Sequence, residues 1–240
     1  MFYKNIYIRL FLLIVIIILL HKYAPTPLKY PKTNMNNNIS DNYHGKEVKD
    51  EYRWLEDETS VQTDAWIQKQ NAFTDRYIRK IPFRKKIQKR LKELWNYPTM
   101  SMPFIKNDKI YFYKNNGLQN QSILYAKTNI EDSDSSAKVI IDPNKLSKDG
   151  TVALSGIYFS NDNKYLGYSI SKSGSDWREF FIKDLSSGKN LNDHLQSIKF
   201  SGMSWVDDGF YYNAFPQPKD GRELSEITDS SKVFFHKLTH

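Results

Sequence analysis

The 240-residue chain contains no cysteine. This absence excludes disulfides, zinc–thiolate sites and a cysteine nucleophile, but it does not indicate a compartment, because exported proteins can also lack disulfides. The glycine-rich patterns G-x-x-x-x-G-K-[ST] and G-x-G-x-x-G are missing too. Since these patterns cradle phosphates at the start of a helix, their absence argues against a nucleotide site, and no cofactor is expected.

The sequence also lacks a convincing catalytic centre. Ser204 is the only serine in a setting similar to a nucleophile elbow, but the glycine that would close the strained turn is missing, so we interpret the segment as a strand. Adjacent carboxylates such as Glu56-Asp57 point apart on an extended chain and suit caps and turns. The histidines show neither i,i+4 pairing nor a glutamate-rich setting, which predicts no metal site; they are His21, His44, His194, His236 and His240.

What the chain has in quantity is aromatic and basic residues. Aromatic residues make up 15% of the sequence, with 16 Tyr and 14 Phe, which favours a globular β-rich fold. Much of the formal charge of +8 falls in residues 80–92. A basic helix of this kind can bind nucleic acid or anionic lipid, but a solvated face on an amphipathic helix is the commoner case, and we expect no nucleic-acid partner.

The N-terminus carries a hydrophobic leader. Lys4 and Arg9 precede the apolar run Leu10–Leu20, which is typical of a secretory signal peptide. Extended back to residue 6, the run is long enough to be a marginal membrane anchor. We therefore predict a signal peptide or signal anchor over residues 1–24, a membrane contact through residues 6–20, and a membrane-anchored or secreted protein.

A linker and a helical arm are predicted over residues 25–97. The segment from Pro25 to Asp41 is rich in Pro, Asn and Lys, which indicates a linker. A first helix is predicted from about Glu58, with Thr59 and Gln62 as a capping box, ending at Pro82. A second helix is predicted to stop before Tyr97, because a residue that precedes proline avoids the α region. Its apolar stripe consists of Phe83, Ile87, Leu91 and Leu94.

From residue 98 to residue 240 the hydrophobic period changes to two, which predicts an all-β region. Turn signals such as Asn115-Asn116-Gly117 and Asp207-Asp208-Gly209 separate the segments and favour hairpins. The predicted strands are Lys109–Lys114, Ser122–Lys127, Val139–Asp142, Val152–Phe159, Tyr165–Ile170, Glu179–Leu185, Phe210–Phe215 and Lys232–Leu238.

This region is also repetitive. A shift of about 46 residues aligns Ser155-Gly156 with Ser201-Gly202, Phe159 with Trp205 and Tyr165 with Tyr211. A repeat of this length, with a turn between two aromatic strands, is typical of a β-propeller blade. A plain antiparallel meander with chance similarity is the alternative reading of the periodicity.

Five segments in order resemble the prolyl oligopeptidase family of serine peptidases: YHGKEVKDEYRWLED at 43–57, GLQNQSILY at 117–125, DGTVALSGIYFS at 149–160, SGSDW at 173–177 and KFSGMSW at 199–205. The resemblance implies the N-terminal portion of such an enzyme: a helical arm and an incomplete β-propeller of about two to three of the family's seven blades. The family's Ser-His-Asp triad lies in a C-terminal α/β-hydrolase domain, which we expect to be absent from this chain. Many family members are cytoplasmic, which is the alternative location.

The resemblance also implies roles for particular residues. Phe200 matches a propeller aromatic that lines the substrate cavity, although a core position in a blade is its alternative. Asp176 matches a loop residue at the interface with the hydrolase domain, and Trp54 and Leu55 match residues that anchor the arm to it. The implied function is cleavage of short peptides after proline, with the propeller gating access and this chain inactive alone. The alternative is a non-catalytic secreted or membrane-tethered binding module.

Overall fold

The computed structural model describes residues 13–14, 28–219 and 226–239. The leader predicted at 1–24 lies outside the described residues except for Leu13 and Ile14, which are helical. The membrane contact through residues 6–20 and the location therefore stay predictions. In the part of the chain that is described, no helix combines the length and hydropathy needed to cross a membrane.

The N-terminal arm consists of a hairpin and two helices. Strands β1 (Ser40–Tyr43) and β2 (Lys46–Lys49) pair antiparallel. A 3-10 helix, Arg53–Glu56, leads to α1 (Val61–Ile78), and α2 (Arg84–Trp95) follows. The indole of Trp66 donates to Thr33 Oγ1 (2.9 Å), and the rings of Tyr30 and Phe73 lie 5.0 Å apart, so segment 30–33 is held against α1.

The predicted capping box at the start of α1 is wrong by one residue. The N-cap is Ser60, whose Oγ accepts a hydrogen bond from the Thr63 N–H at 3.1 Å. Thr59 cannot serve because the Asp57 carboxylate already accepts from both its N–H and its hydroxyl, which places Thr59 in a turn. The predicted stop of the second helix before Tyr97 is confirmed, since α2 ends at Trp95 with Asn96 as its C-cap.

Three antiparallel sheets follow the arm, and we number them as blades in chain order. Blade 1 contains β3 (Thr99–Met100), β4 (Phe104–Lys106), β5 (Lys109–Asn115), β6 (Ile123–Lys127) and β7 (Lys138–Ile141), and both β3 and β4 pair with β5. Blade 2 contains β8 (Val152–Phe159), β9 (Tyr165–Lys172), β10 (Trp177–Asp184) and β11 (Asn190–Lys199). Blade 3 contains β12 (Ser204–Val206), β13 (Gly209–Ala214) and β14 (Lys232–Lys237).

The mainly-β prediction is confirmed, and all eight predicted strands are present within about two residues at either end. β11 was missed because its sequence, NLNDHLQSIK, contains too many polar residues to read as a strand. β3, β4 and β12 are two or three residues long, too short for a period of two to show.

Two hydrophobic cores join consecutive blades. The first lies between blades 1 and 2 and includes Tyr111, Leu124, Leu166 and Tyr168. The second lies between blades 2 and 3 and includes Phe180, Ile182, Ile198, Trp205 and Phe210. Consecutive blades therefore bury facing sides against each other, as blades do in a propeller.

The repeat is real, but its register shifts at one turn. Phe159 of blade 2 packs on Tyr111 of blade 1 (ring centroids 4.8 Å), and Trp205 of blade 3 faces blade 2 with its indole donating to the Tyr158 carbonyl (3.0 Å), so these two positions are equivalent. Across the following turn, Phe159 pairs with Leu166, whereas Trp205 pairs with Phe210. Blade 2 has the longer turn, which makes Leu166 the counterpart of Phe210 and breaks the predicted match of Tyr165 with Tyr211.

Candidate functional site

Two of the predicted site residues flank one cross-strand pair at the edge of blade 2. Trp177, the first residue of β10, pairs with Lys199, the last residue of β11. Asp176 precedes Trp177 in the β9–β10 turn and is exposed, and Phe200 follows Lys199. Gly174 has a φ of +75°, which glycine adopts without strain, and the Ser175 hydroxyl accepts a hydrogen bond from the Trp177 N–H (3.1 Å). The turn thus holds Asp176 beside the paired strands.

Around this pair, two aromatic rings face one ammonium group, and a third ring packs against one of them. Lys199 Nζ lies 5.0 Å from the centroid of the Trp177 ring and 5.4 Å from that of Phe200. The ring of Phe215, just after β13, stands perpendicular to Trp177 with the centroids 6.4 Å apart. Contacts between a cation and aromatic faces at these distances are favourable. We call this group the aromatic–lysine corner: Trp177, Lys199, Phe200 and Phe215.

Phe200 is 66% exposed and belongs to neither interblade core. Its φ of +54° lies in the left-handed region, which is uncommon for a bulky residue. This backbone turn lies between β11 and β12, where the chain passes from blade 2 to blade 3. The exposure argues against the alternative in which Phe200 is a core residue, and its role towards substrate stays a prediction.

Two small cavities adjoin the corner. One, of about 180 Å³, is lined by Trp177, Arg178 and Glu179 together with Gln196 and Pro218. The other, of about 140 Å³, lies between Trp177, Phe215 and the segment 226–229. Trp177, Gln217 and Pro218 belong to the walls of both cavities, so the indole lies between two recesses.

A charged network forms one wall of the larger recess. Glu179 forms a hydrogen-bonded ion pair with Lys172, and its second carboxylate oxygen lies 2.9 Å from His194 Nε2. Burial raises the pKa of Glu179, but the hydrogen bonds from Lys172 and His194 outweigh it and hold the pKa below its ordinary value. The carboxylate therefore remains ionised at neutral pH, and its charge is paired with that of Lys172, which lines the same recess.

Trp54 and Leu55 lie in the arm, on the 3-10 helix before α1. Both are half-buried, and the Trp54 indole donates to the Asn34 carbonyl (2.9 Å). The neighbouring Arg53 forms ion pairs with Asp41 and Asp50, which tie this helix to the β1–β2 hairpin. The structure does not bring Trp54 and Leu55 together with Phe200 in any described contact, and their anchoring role stays a prediction.

Sequence reasoning missed Trp177, Lys199 and Phe215 as members of the corner. The first two lie in the quoted segments SGSDW and KFSGMSW, so the signal was the pairing of the strand that begins in the first segment with the strand that ends in the second. That pairing was hidden because β11 was not predicted. Ser204 lies on β12 opposite Tyr211, which confirms its interpretation as a strand residue.

Three antiparallel sheets of five, four and three strands, packed one after another along the chain, define the class as a β-propeller portion. The model of the prolyl oligopeptidase N-terminal β-propeller domain matches residues 31–240. The chain belongs to the prolyl oligopeptidase family.

Similar proteins support this membership. The chain is 46% identical over 212 residues to a prolyl endopeptidase of Elizabethkingia miricola, a match that covers 88% of this chain and 29% of the relative. It is 37% identical over 243 residues to prolyl oligopeptidase A of Amanita bisporigera, covering 89% of this chain and 32% of the relative. The chain thus spans about 30% of the length of these curated relatives.

Solved structures show the same fold. One, from a study of two prolyl endopeptidases and of inter-domain dynamics in catalysis and specificity, superposes with a TM-score of 0.71 at 29% identity, covering 88% of this chain and 31% of that one. Prolyl oligopeptidase B of Galerina marginata, bound to a 35mer hydrolysis and macrocyclization substrate, gives a TM-score of 0.69 at 26% identity, covering 90% of this chain and 32% of that one.

Proposed function

We propose that this chain is the N-terminal portion of a serine endopeptidase that cleaves short peptides after proline, and that its blades form part of the wall that admits the peptide. The observation that carries the proposal is the aromatic–lysine corner, where Phe200 is exposed and Trp177 lines two recesses. The prolyl endopeptidase names of the relatives supply the reaction class.

The corner has the chemistry to bind a peptide without reacting with it. The faces of Phe200 and Trp177 offer apolar contact to a side chain upstream of the proline, and Lys199 is held between them. Such contacts bind and orient a substrate, while a Ser-His-Asp triad performs acyl transfer in serine peptidases of this kind. The chain's contribution to the reaction is therefore substrate selection.

The helical arm supplies a surface for the catalytic domain. The predicted apolar stripe of α2 is open to solvent, with exposures of 60% for Phe83, 50% for Ile87, 49% for Leu91 and 50% for Leu94. An apolar stripe on an amphipathic helix normally packs against another element. We propose that this stripe, together with Trp54 and Leu55, packs against the hydrolase domain.

Peptidase assays on two proteins test the proposal. A chromogenic peptide with an internal proline is incubated with the 240-residue chain and with a protein in which this chain is continued by the C-terminal part of the 46%-identical relative. We expect cleavage after proline by the longer protein only. Cleavage by the 240-residue chain, or none by a correctly folded longer protein, would contradict the proposal and favour a non-catalytic binding module.

A further inference from the structure

A second concave surface lies at the opposite end of the blades from the aromatic–lysine corner. The corner adjoins the β9–β10 turn, whereas this cavity adjoins the β4–β5 turn of blade 1 and the end of β10. It has a volume of about 370 Å³ and lies where blades 1 and 2 meet. We call it the lysine cavity.

The wall of the lysine cavity carries an excess of positive charge. Three lysines line it at strand ends: Lys109 at the start of β5, Lys127 at the end of β6 and Lys138 at the start of β7. Asp132 is the one acidic residue among the lining residues. Among the described residues, no carboxylate lies within ion-pair distance of Lys109 or Lys138, which leaves both ammonium groups available to a ligand.

Lys127, unlike Lys109 and Lys138, binds a loop of the chain itself. Its ammonium donates to the carbonyls of Ile130 and Asp132 (3.0 Å each) and approaches Asp134 Oδ1 at 3.5 Å. Its three N–H groups are therefore engaged in holding the β6–β7 loop. Lys127 contributes to the shape of the wall, and the charge that a ligand meets comes from its neighbours.

A further lysine on β10 approaches Lys138. Lys183 Nζ donates to the Gly188 carbonyl (2.9 Å), and a Cβ at Gly188 would lie 4.0 Å from Lys138 Nζ, so both ammonium groups converge on one loop. Burial and the positive charge of Lys138 lower the pKa of Lys183. Two like charges held close together, without a paired carboxylate among the described residues, are stabilised by an anion.

Apolar side chains form part of the cavity lining. They belong to Tyr111, Ala126, Ile140 and Leu185, and Thr128 and Ser136 add hydroxyl groups. Lysines beside apolar side chains suit a ligand with a multiply charged head and an organic body. A phosphate ester has both parts, since its phosphate carries nearly two negative charges at neutral pH and has three acceptor oxygens.

We propose that the lysine cavity binds a phosphate ester, with its phosphate held by Lys109 and Lys138 of the lining and by the neighbouring Lys183, and with its organic part against the apolar lining residues. The site is separate from the aromatic–lysine corner, and it does not depend on the proposed peptidase function. A ligand here contacts both blades and therefore favours their association.

Calorimetric titration of the 240-residue chain tests the site, with phenyl phosphate and inorganic phosphate as probes at low ionic strength. We expect phenyl phosphate to bind with a stoichiometry of one and at least tenfold more tightly than inorganic phosphate. The double variant Lys138→Gln, Lys183→Gln should lose at least tenfold in affinity, while Lys138→Arg keeps it. Lys232→Gln on β14 removes one charge far from the cavity and is the control.

Three results would overturn the proposal. Binding without saturation, or equal weakening by Lys232→Gln, would show general attraction to a basic surface. Equal affinity for phenyl phosphate and inorganic phosphate would show that the apolar lining residues do not contribute to binding. NMR of the lysine side chains gives an independent check, because a bound phosphate must raise the pKa of Lys183, and an unchanged pKa at saturating phenyl phosphate would exclude its contact with the ligand.

Discussion

At the residue scale, one buried carboxylate joins blades 2 and 3. The Asp193 side chain, on β11, is fully buried, and its Oδ1 accepts hydrogen bonds from His236 Nε2 (2.7 Å) and from the Thr239 N–H (3.1 Å). Its Oδ2 has no partner among the described residues. Burial raises the pKa of Asp193, but the bonds from His236 and Thr239 outweigh it and hold the pKa below its ordinary value.

This pKa gives a pH-dependent prediction for Asp193→Asn. Because the folded-state pKa lies below the unfolded-state value of about 3.9, the carboxylate stabilises the fold above that pH, and its contribution is lost as the pH falls through the folded-state pKa. We expect the substitution to lower the free energy of unfolding by about 1–3 kcal/mol at pH 7, with the difference shrinking towards pH 3. Urea unfolding at both pH values measures it.

The control for this experiment is Asp229→Asn, since Asp229 is exposed in the segment before β14. Its unfolding free energy should follow that of the unchanged chain at both pH values. The free energies of unfolding of Asp193→Asn and of the unchanged chain are compared at both pH values. If their difference stays constant from pH 7 to pH 3, the ionised carboxylate does not stabilise the contact between blades 2 and 3.

At the element scale, blades 1 and 3 share an interruption of the backbone hydrogen bonding near their first strand. In both blades a serine hydroxyl accepts the hydrogen bond in place of a backbone carbonyl. The Ser101 hydroxyl accepts a hydrogen bond from the Tyr113 N–H, and the Ser201 hydroxyl accepts one from the Asn213 N–H, both at 2.9 Å. The two serines are 100 residues apart, as are the two donors. The same side-chain hydrogen bond thus replaces a backbone hydrogen bond between strands in both blades.

The two serines differ in burial, which predicts different costs of removal. Ser201 is 8% exposed, so Ser201→Ala should cost about 1–2 kcal/mol because it leaves a partly buried N–H without its acceptor. Ser101 is exposed, and in Ser101→Ala water can replace the lost acceptor, so we expect less than about 0.5 kcal/mol. Urea unfolding of the two variants compares them, and equal costs would contradict the explanation.

The sequence predicted most elements of the β region, because their apolar residues alternate over five or more positions. It did not predict β11, where polar residues make contacts with blades 2 and 3 that no local pattern reveals, such as that of Asp193 with His236. For the same reason it identified Phe200 and Asp176 only by resemblance, and it did not find Lys199 between the two rings. The hydrophobic period describes residues that are close in sequence, whereas pairing across strands joins residues that are distant in sequence. The period therefore does not reveal these contacts.

At the scale of the whole molecule, three blades are joined by two cores, and blade 3 leaves one face uncovered. Tyr211 is 47% exposed and Val233 is 74% exposed on this face, and the rings of Tyr211 and Phe235 lie 5.0 Å apart. The chain spans about 30% of the length of its relatives. The proposed role of the aromatic–lysine corner towards a peptide is therefore tested in a longer protein.

The most direct test of that role is Phe200→Ala in the longer, active protein, assayed with a dipeptide reporter and with a peptide extended several residues upstream of the proline. We expect kcat/KM for the extended peptide to fall by an amount equivalent to about 1–3 kcal/mol, with the reporter nearly unchanged, because only the extended peptide reaches the ring. Ile130→Ala removes an exposed apolar side chain at the opposite end of blade 1 and should change neither value. An equal loss on both substrates, or a large loss of thermal stability, would contradict the account.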